Sequence, residues 1–278
     1  MYEGIFNQGL RTTKELDMQN NNDPRLAVLI DADNVPRRRM KGIMQELALY
    51  GTPTIKRIYG DWTSPNLASW KQELLENAIT PIQQYAYTVG KNSTDSAMII
   101  DAMDILYSER VDGFCIVSSD CDFTRLVTRL REAGMKVIGI GEKKTPSPFI
   151  AACDKFIYLE IIAQRTAEQS LADRNETDSK PKSSHSRNKK REESDKIRIP
   201  SQIILLIQES ILDLADEDGW AFLGDVGNLI LKKQPDFDPR NFGFNKLTTL
   251  IKSIDLFEID IRQTSAPNVK HIYVKTRE

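Results

Sequence analysis

The chain has 278 residues, 38 Lys and Arg against 40 Asp and Glu, a formal net charge of −2, and 40% apolar residues. That length suits one large or two smaller domains, with enough apolar material for proper cores. The near-balanced charge excludes the chain-wide basic field that marks many nucleic-acid binders, so any such role must rest on local patches.

Residues 1–24 are polar, end in Asn-Asn-Asn-Asp-Pro and show no sustained periodicity, which predicts a mobile arm. From Leu26 apolar strand-like runs alternate with amphipathic stretches, the pattern of a parallel sheet wrapped by helices. The expected strands are Leu26–Ile30, Thr54–Tyr59, Thr80–Tyr85, Gly113–Val117, Lys136–Ile140 and Lys155–Tyr158. The expected helices are Pro36–Leu49, Pro65–Asn77, Thr94–Ser108, Phe123–Ala133 and a short turn at Pro148–Ala152. Residues 25–165 thus read as one α/β domain. Residues 166–196 change to mixed charge, Ser and Asn, with Leu171 the one large aliphatic side chain, and predict a flexible charged linker. In residues 197–278 helices are expected at Ile203–Leu214, Phe222–Lys232 and Phe242–Ile254, then strands at Leu256–Arg262 and His271–Lys275 joined by a turn at Thr264–Asn268. Three helices and a hairpin give the α+β layout of a winged helix.

No apolar run approaches the ~18 residues of a membrane span, and the N-terminus lacks the basic-then-apolar order of a secretory leader. Cys115, Cys121 and Cys153 form no CxxC pair and read as free thiols of a reducing compartment. A cytoplasmic protein with no membrane association is the expectation.

Five aspartates fall in three clusters: Asp31 and Asp33 after the first apolar run, Asp95 at the start of a helix, and Asp120 and Asp122 after the run Phe114–Val117. In open α/β sheets ligands bind outside the carboxyl ends of the strands, where two of these clusters lie. Carboxylates crowded there repel one another unless a hard cation neutralises them, and an all-oxygen set suits Mg²⁺ or Mn²⁺. Capping of the helix at Pro36 by Asp31 or Asn34 explains one polar residue there, not three. Thr94 or Asp95 could equally cap the third helix, and one of Asp120 and Asp122 the fourth. Asp101 is a supporting candidate on the helix of Asp95. Lys91 and the run Arg37-Arg38-Arg39 with Lys41 could grip phosphates, the latter at a helix start that prefers acids. Tyr59, Trp62, Tyr85 and Tyr87 lie at or past strand ends, where bases could stack or the rings simply pack.

The segments Ile-Asp-Ala-Asp-Asn-Val, Lys-x-x-x-Asp and Val-Ser-Ser-Asp-x-Asp-Phe, followed by Gly134–Gly141, resemble the NYN domain, a PIN-like nuclease fold that includes the LabA-like proteins. The resemblance covers about Leu26–Glu160. It implies a metal-dependent ribonuclease in which Asp31, Asp95 and Asp120 hold Mg²⁺ or Mn²⁺ and Asp122 joins them as a catalytic residue. It further implies that Asn34 and Ser118 or Ser119 support substrate or metal. Asn92, Ser93 and Thr94 replace the family's glycine-rich approach to the middle Asp, a departure that bears on Lys91. The segments Trp220–Gly224, Pro235–Phe244 and Lys246-Leu247 resemble the LOTUS (OST-HTH) domain, a winged-helix module associated with RNA, over about Ile197–Lys275. The resemblance implies single-stranded RNA as partner, with a protein partner for the LOTUS half also open. Lys232, Lys233, Arg240, Lys246 and Lys252 favour RNA there, against Asp213, Asp216, Glu217 and Asp218 nearby.

Two rival readings remain. One is an RNA- or protein-binding adaptor with little turnover. The other is a haloacid-dehalogenase-type phosphatase with Asp31 as nucleophile and Asp33 as acid, although a Ser or Thr ending a second strand and a later Lys are not evident.

Overall fold

The structure, a computed structural model, describes residues 23–85, 93–165, 199–263 and 270–277. Most of the expected mobile arm, the whole of the expected linker, Tyr87, Lys91 and the hairpin turn lie outside the described residues.

Six parallel strands form one sheet in the order β3-β2-β1-β4-β5-β6. They are β1 (Arg25–Asp31), β2 (Thr52–Gly60), β3 (Thr80–Gln83), β4 (Gly113–Val117), β5 (Lys136–Gly141) and β6 (Lys155–Tyr158). Their helices are α1 (Met40–Leu47), α2 (Lys71–Asn77), α3 (Ser93–Tyr107), α4 (Thr124–Glu132), α5 (Ser147–Ala152) and α6 (residues 159–165). The central strands are continuous apolar runs because both sheet faces are covered. Along β1, Val28 and Ile30 pack with Met40, Ile43 and Leu47 of α1, while Ala27 and Leu29 pack on the other face with Met98, Ala102 and Ile105 of α3. The chain runs outward from β1 through β2 to β3, then returns through α3 to β4 on the other flank of β1. The topological switch point therefore lies between β1 and β4, where Ile30 registers with Val117.

Two of the helices expected from periodicity open instead as 3-10 turns, at Arg37–Arg39 and Pro65–Trp70, and a third 3-10 turn, Cys121–Phe123, leads into α4. Each follows the carboxyl end of a strand.

The C-terminal domain contains α7 (Ser201–Leu212), β7 (Ala221–Phe222), α8 (Leu223–Lys233), α9 (Leu247–Lys252), β8 (Phe257–Gln263) and β9 (Lys270–Thr276), with an antiparallel sheet in the order β7-β9-β8. Its core joins Ile207, Val226, Ile230, Leu250, Ile251 and Val274, and the arrangement is that of a winged helix. The third helix is shorter than the expected Phe242–Ile254, because a 3-10 turn at Pro239–Phe242 is closed by Gly243 at φ 75° before α9 begins.

The two domains meet at β6, the edge strand of the parallel sheet. The Phe156 backbone N–H donates to Pro235 O at 2.8 Å, and Tyr158 Oη donates to Asp236 Oδ2 at 2.7 Å. An open edge strand carries unpaired backbone groups that invite foreign strands, and this loop covers part of it. Beside it Arg240 donates to both oxygens of Glu46, at 2.7 and 2.9 Å, and to Asp238 Oδ2 at 2.7 Å, while Arg165 reaches Glu46 at 3.1 Å. Glu46 is 1% and Asp238 6% exposed, so both carboxylates are buried and both are ion-paired. Burial pushes the Glu46 carboxyl up, but the hydrogen bonds and charge of Arg240, aided by Arg165, hold it below its ordinary value. Arg240, expected to favour RNA, is thus engaged in joining the domains. No helix among the described residues is long and apolar enough to cross a membrane.

Candidate metal and RNA site

Asp31 ends β1 as the first polar residue after five buried apolar ones, and it is 1% exposed. A carboxylate buried to that degree must be hydrogen-bonded. Its Oδ1 accepts from the Asp33 backbone N–H at 3.0 Å, and its Oδ2 accepts from Asn34 Nδ2 at 2.6 Å and Ser118 Oγ at 2.9 Å. A carboxylate offers about four lone-pair positions, so roughly one remains on Asp31 for a further donor or cation. Ser118, fully buried at the end of β4, also accepts from the Asp120 backbone N–H at 3.1 Å. One hydroxyl thereby links the exits of the two strands that flank the switch point.

Asp120 caps the 3-10 turn that follows β4, its Oδ1 accepting from the Asp122 N–H at 2.9 Å. The acid-or-cap ambiguity of this pair is settled in that respect: Asp120 is the cap. Among the described residues, Asp120, Cys121 and Asp122 have ligand atoms within 4.8 Å of one another. Cys121 is exposed, unlike Cys115 and Cys153, and its thiol lies beside these two carboxylates. Its position between the two aspartates was the available signal.

Asp95 lies in the first turn of α3. Its carboxyl is pushed up to about 6, first by burial and then by the negative charges of Asp31, Asp120, Asp122 and Asp33. The three sequence clusters thus converge within electrostatic reach, and each side chain acting on Asp95 is another carboxylate. Asp33 is also raised, by burial, then Asp31, then Asp61. Asp61 was missed. It follows β2 directly, as Asp31 ends β1, and its Oδ1 accepts from Thr63 N, Thr63 Oγ1 and Gln83 Nε2 at 3.1, 2.5 and 2.9 Å. The preceding Gly60 permits a close approach, since a Cβ there would lie 3.1 Å from the Ala32 Cβ and 2.7 Å from Leu67 Cδ1.

Other candidates are occupied elsewhere. Ser119 Oγ accepts from the Glu142 N–H at 2.9 Å and so ties the exit of β4 to that of β5. Arg37 Nη1 donates to Ser69 O at 2.8 Å, bracing the turn before α2. Tyr59 is fully buried, which removes it as a stacking surface, and its hydroxyl donates to Asp101, which also pairs with Arg57. Asp101 therefore holds α3 against β2 rather than facing the acidic cluster. Trp62 Nε1 donates to Ile82 O at 2.9 Å, and Tyr85 is 56% exposed.

An all-carboxylate set at the carboxyl ends of parallel strands, with one member driven toward protonation by the others, fits a hard divalent cation. Sequence comparison agrees with the architecture. The NYN domain profile matches residues 25–160 and the OST-HTH/LOTUS domain profile matches residues 197–269. The chain is an NYN-domain protein with a C-terminal OST-HTH/LOTUS domain, a PIN-like α/β fold joined to a winged helix.

A curated relative, the uncharacterized protein MJ0482 of Methanocaldococcus jannaschii, is 27% identical over 121 residues, covering 42% of this chain and 47% of that protein. The chain thus spans about half the length of that relative. A Vibrio parahaemolyticus protein of unknown function, VPA0982, matches in its crystal structure with TM-score 0.43 and 21% identity, over 50% of this chain and 94% of that one. The solution structure of an uncharacterized protein from gene locus NE0665 of Nitrosomonas europaea matches with TM-score 0.27 and 32% identity, over 36% of this chain and 92% of that one. The two domain families together support a role directed at RNA.

Proposed function

We propose that this protein is a divalent-metal-dependent ribonuclease that hydrolyses RNA phosphodiester bonds, with Asp31, Asp95 and Asp120 as the cation's ligands and Mg²⁺ or Mn²⁺ as the ion. The observation that supports the proposal is that acids from β1, α3 and the β4 exit lie within electrostatic reach of one another, with Asp95 raised to about 6 by burial and its neighbours. A bound cation would supply activation of a water nucleophile and stabilisation of charge on the leaving oxygen. Asp122, beside Asp120, would orient that water. Asn34 and Ser118 fix the Asp31 carboxylate, so its remaining lone pair is presented in one direction at little entropic cost. The cytoplasm is the proposed location.

The adaptor reading draws on one specific observation: Asp31 already accepts three hydrogen bonds, which limits it to a single further contact. The phosphatase reading draws less, because β2 ends in Gly60-Asp61 where that chemistry needs a Ser or Thr. End-labelled single-stranded RNA incubated with Mn²⁺, Mg²⁺ or EDTA separates these readings. Metal-dependent cleavage that disappears in Asp31→Asn and Asp120→Asn is the expected result. Intact RNA in all lanes with folded protein would leave the adaptor, and turnover of a generic phosphomonoester lost in Asp33→Asn would restore the phosphatase.

A further inference from the structure

A groove of about 530 Å³ is lined by residues of α8, α9 and β9 of the C-terminal domain together with Lys155 of the parallel-sheet domain. Its walls are apolar: Phe222, Leu231, Leu247 and Ile272. Gly227 on α8 lets Leu247 of α9 approach closely, since a Cβ there would sit 3.2 Å from Leu247 Cδ2. Three cations surround this apolar trough. Lys246 and Lys270 are exposed on the C-terminal domain, and Lys155 comes from the first residue of β6.

Lys155 is the unusual member. Its ammonium lies 5.3 Å from the centroid of the Tyr50 ring, at the domain junction. The acids nearest in charge, Asp238 and Glu46, are hydrogen-bonded to Arg240, and Glu46 also to Arg165. Burial lowers the Lys155 pKa, and Asp238 and Glu46 only partly offset that. A cation held at such a cost, half-buried in the lining of an apolar groove, is best explained by an anion that completes it. Asp238 is the one acid lining the groove, and Arg240 neutralises it. The net field in the groove is therefore positive although the chain as a whole carries −2.

We propose that this groove is a nucleotide-binding site built jointly by both domains, in which the apolar walls take a base and Lys155, Lys246 and Lys270 take the phosphates on either side. The volume lies within the roughly 300–1,000 Å³ of small-molecule sites and accommodates about one nucleotide. Base contact with apolar and aromatic walls is tolerant of sequence, and lysines bind phosphate as point charges, so the site selects nucleotide over sequence. The inference rests on the RNA-directed reading above but not on cleavage, because the groove contains none of the proposed metal ligands. It also gives the docking of the domains a purpose: without the junction, Lys155 leaves the groove.

The test is fluorescence anisotropy of a labelled single-stranded RNA with the full chain in EDTA, so that hydrolysis plays no part. The Lys246→Ala/Lys270→Ala double variant alters exposed side chains only and is expected to weaken binding about tenfold or more. It should also reduce the slope of log affinity against log salt by about 1.4, two phosphates at ~0.7 each. Lys155→Met keeps the stem that packs on Tyr50 and should lose severalfold in affinity. Asn228→Trp, at an exposed position lining the groove, should block it. Unchanged affinity and slope in the double variant and in Asn228→Trp overturn the proposal while leaving the ribonuclease reading intact. RNA that does not bind the wild type at all in EDTA overturns the groove, while the ribonuclease reading stands or falls separately on metal-dependent cleavage. A ribonucleoside monophosphate that competes with wild type, and fails to compete for Asn228→Trp, assigns the site to a free nucleotide; competition by oligonucleotide alone assigns it to the RNA strand.

Discussion

Two groups of acids lie in this molecule, and they have opposite surroundings. At the domain junction Glu46 and Asp238 face Arg240 and Arg165, and Glu46 ionises more readily than usual. At the switch point of the sheet Asp31, Asp95, Asp120 and Asp122 face one another, and Asp95 ionises less readily, near 6. Burial pushes both Glu46 and Asp95 up, so the opposite directions of their shifts come from partner charge. The junction is complete in itself and contributes to holding the domains together. At the switch point every side chain acting on Asp95 carries negative charge, an arrangement that suits the proposed cation site.

The contrast breaks most severely at Arg240. Arg240→Ala leaves two buried carboxylates without their shared partner, which costs about 3–5 kcal/mol when both charges stay buried. Undocking of the C-terminal domain relieves that cost, so the expected outcome is loss of the junction rather than global unfolding. Two separate thermal transitions, with faster proteolysis between residues 166 and 198, would report it. A single transition at the wild-type temperature would show that the ion pairs do not hold the domains. Glu46→Gln is milder. It keeps the shape but weakens hydrogen bonds to two arginines, for an expected loss of about 1.5–3 kcal/mol by chemical denaturation.

Neutralisation at the switch point should act in the opposite direction. The unfolded Asp95 ionises near 3.8 and the folded one near 6, so between these values the folded state binds more protons. Stability of the metal-free protein therefore falls as pH rises through that window, and the full penalty is present above about 6. Glu46 runs the other way: its lowered value gives stability that is present above the unfolded pKa and lost as pH falls through the folded one. Asp95→Asn should flatten the decline in denaturation midpoint between pH 4 and 6 while leaving the acid limb due to Glu46 in place. Added Mg²⁺ or Mn²⁺ should raise the wild-type midpoint at pH 7 and raise that of Asp95→Asn less. A midpoint that rises with pH in both proteins would contradict the repulsion at Asp95.

These contrasts also separate what the sequence discloses from what it hides. β1 and β4 are legible because strands buried on both faces become unbroken apolar runs, and Asp31 stands out as the acid that ends such a run. Gly113–Val117 and Lys155–Tyr158 match the expected strands at both ends. Asp61 escaped notice because β2 contains Pro53, Lys56 and Arg57, so Gly60-Asp61 resembles a polar turn rather than a strand end. Tyr59 misled for the same reason: at the edge of a mixed run it could face either way, and only the packed fold places it inside. The junction was hidden for a different reason. Glu46 and Arg240 are 194 residues apart, and no local pattern couples them. The segment Pro235–Phe244 did stand out, but as a domain signature with a basic residue, whereas its Pro235, Asp236 and Arg240 contact the other domain.

The smallest expected effect is the most specific to the comparison. Ser118→Ala removes one of three hydrogen bonds to Asp31 and the acceptor for the Asp120 N–H, yet adds no charge and no bulk. Loss of a bond to a charged acceptor costs about 1.5–3 kcal/mol, but here the same change frees a lone pair on an acid that repels its neighbours. If Ser118 serves stability alone, the midpoint falls by that amount and divalent-ion affinity is unchanged. If it aims Asp31 at a cation, as proposed, affinity measured by titration calorimetry falls severalfold while the fold tolerates the change. A Ser118→Thr variant, which restores the hydroxyl in a fully buried position, should recover the affinity if its extra methyl is accommodated. Recovery of affinity together with stability would assign the hydroxyl a positioning role at the metal site, whereas tighter ion binding in Ser118→Ala would show that this bond competes with the cation for Asp31.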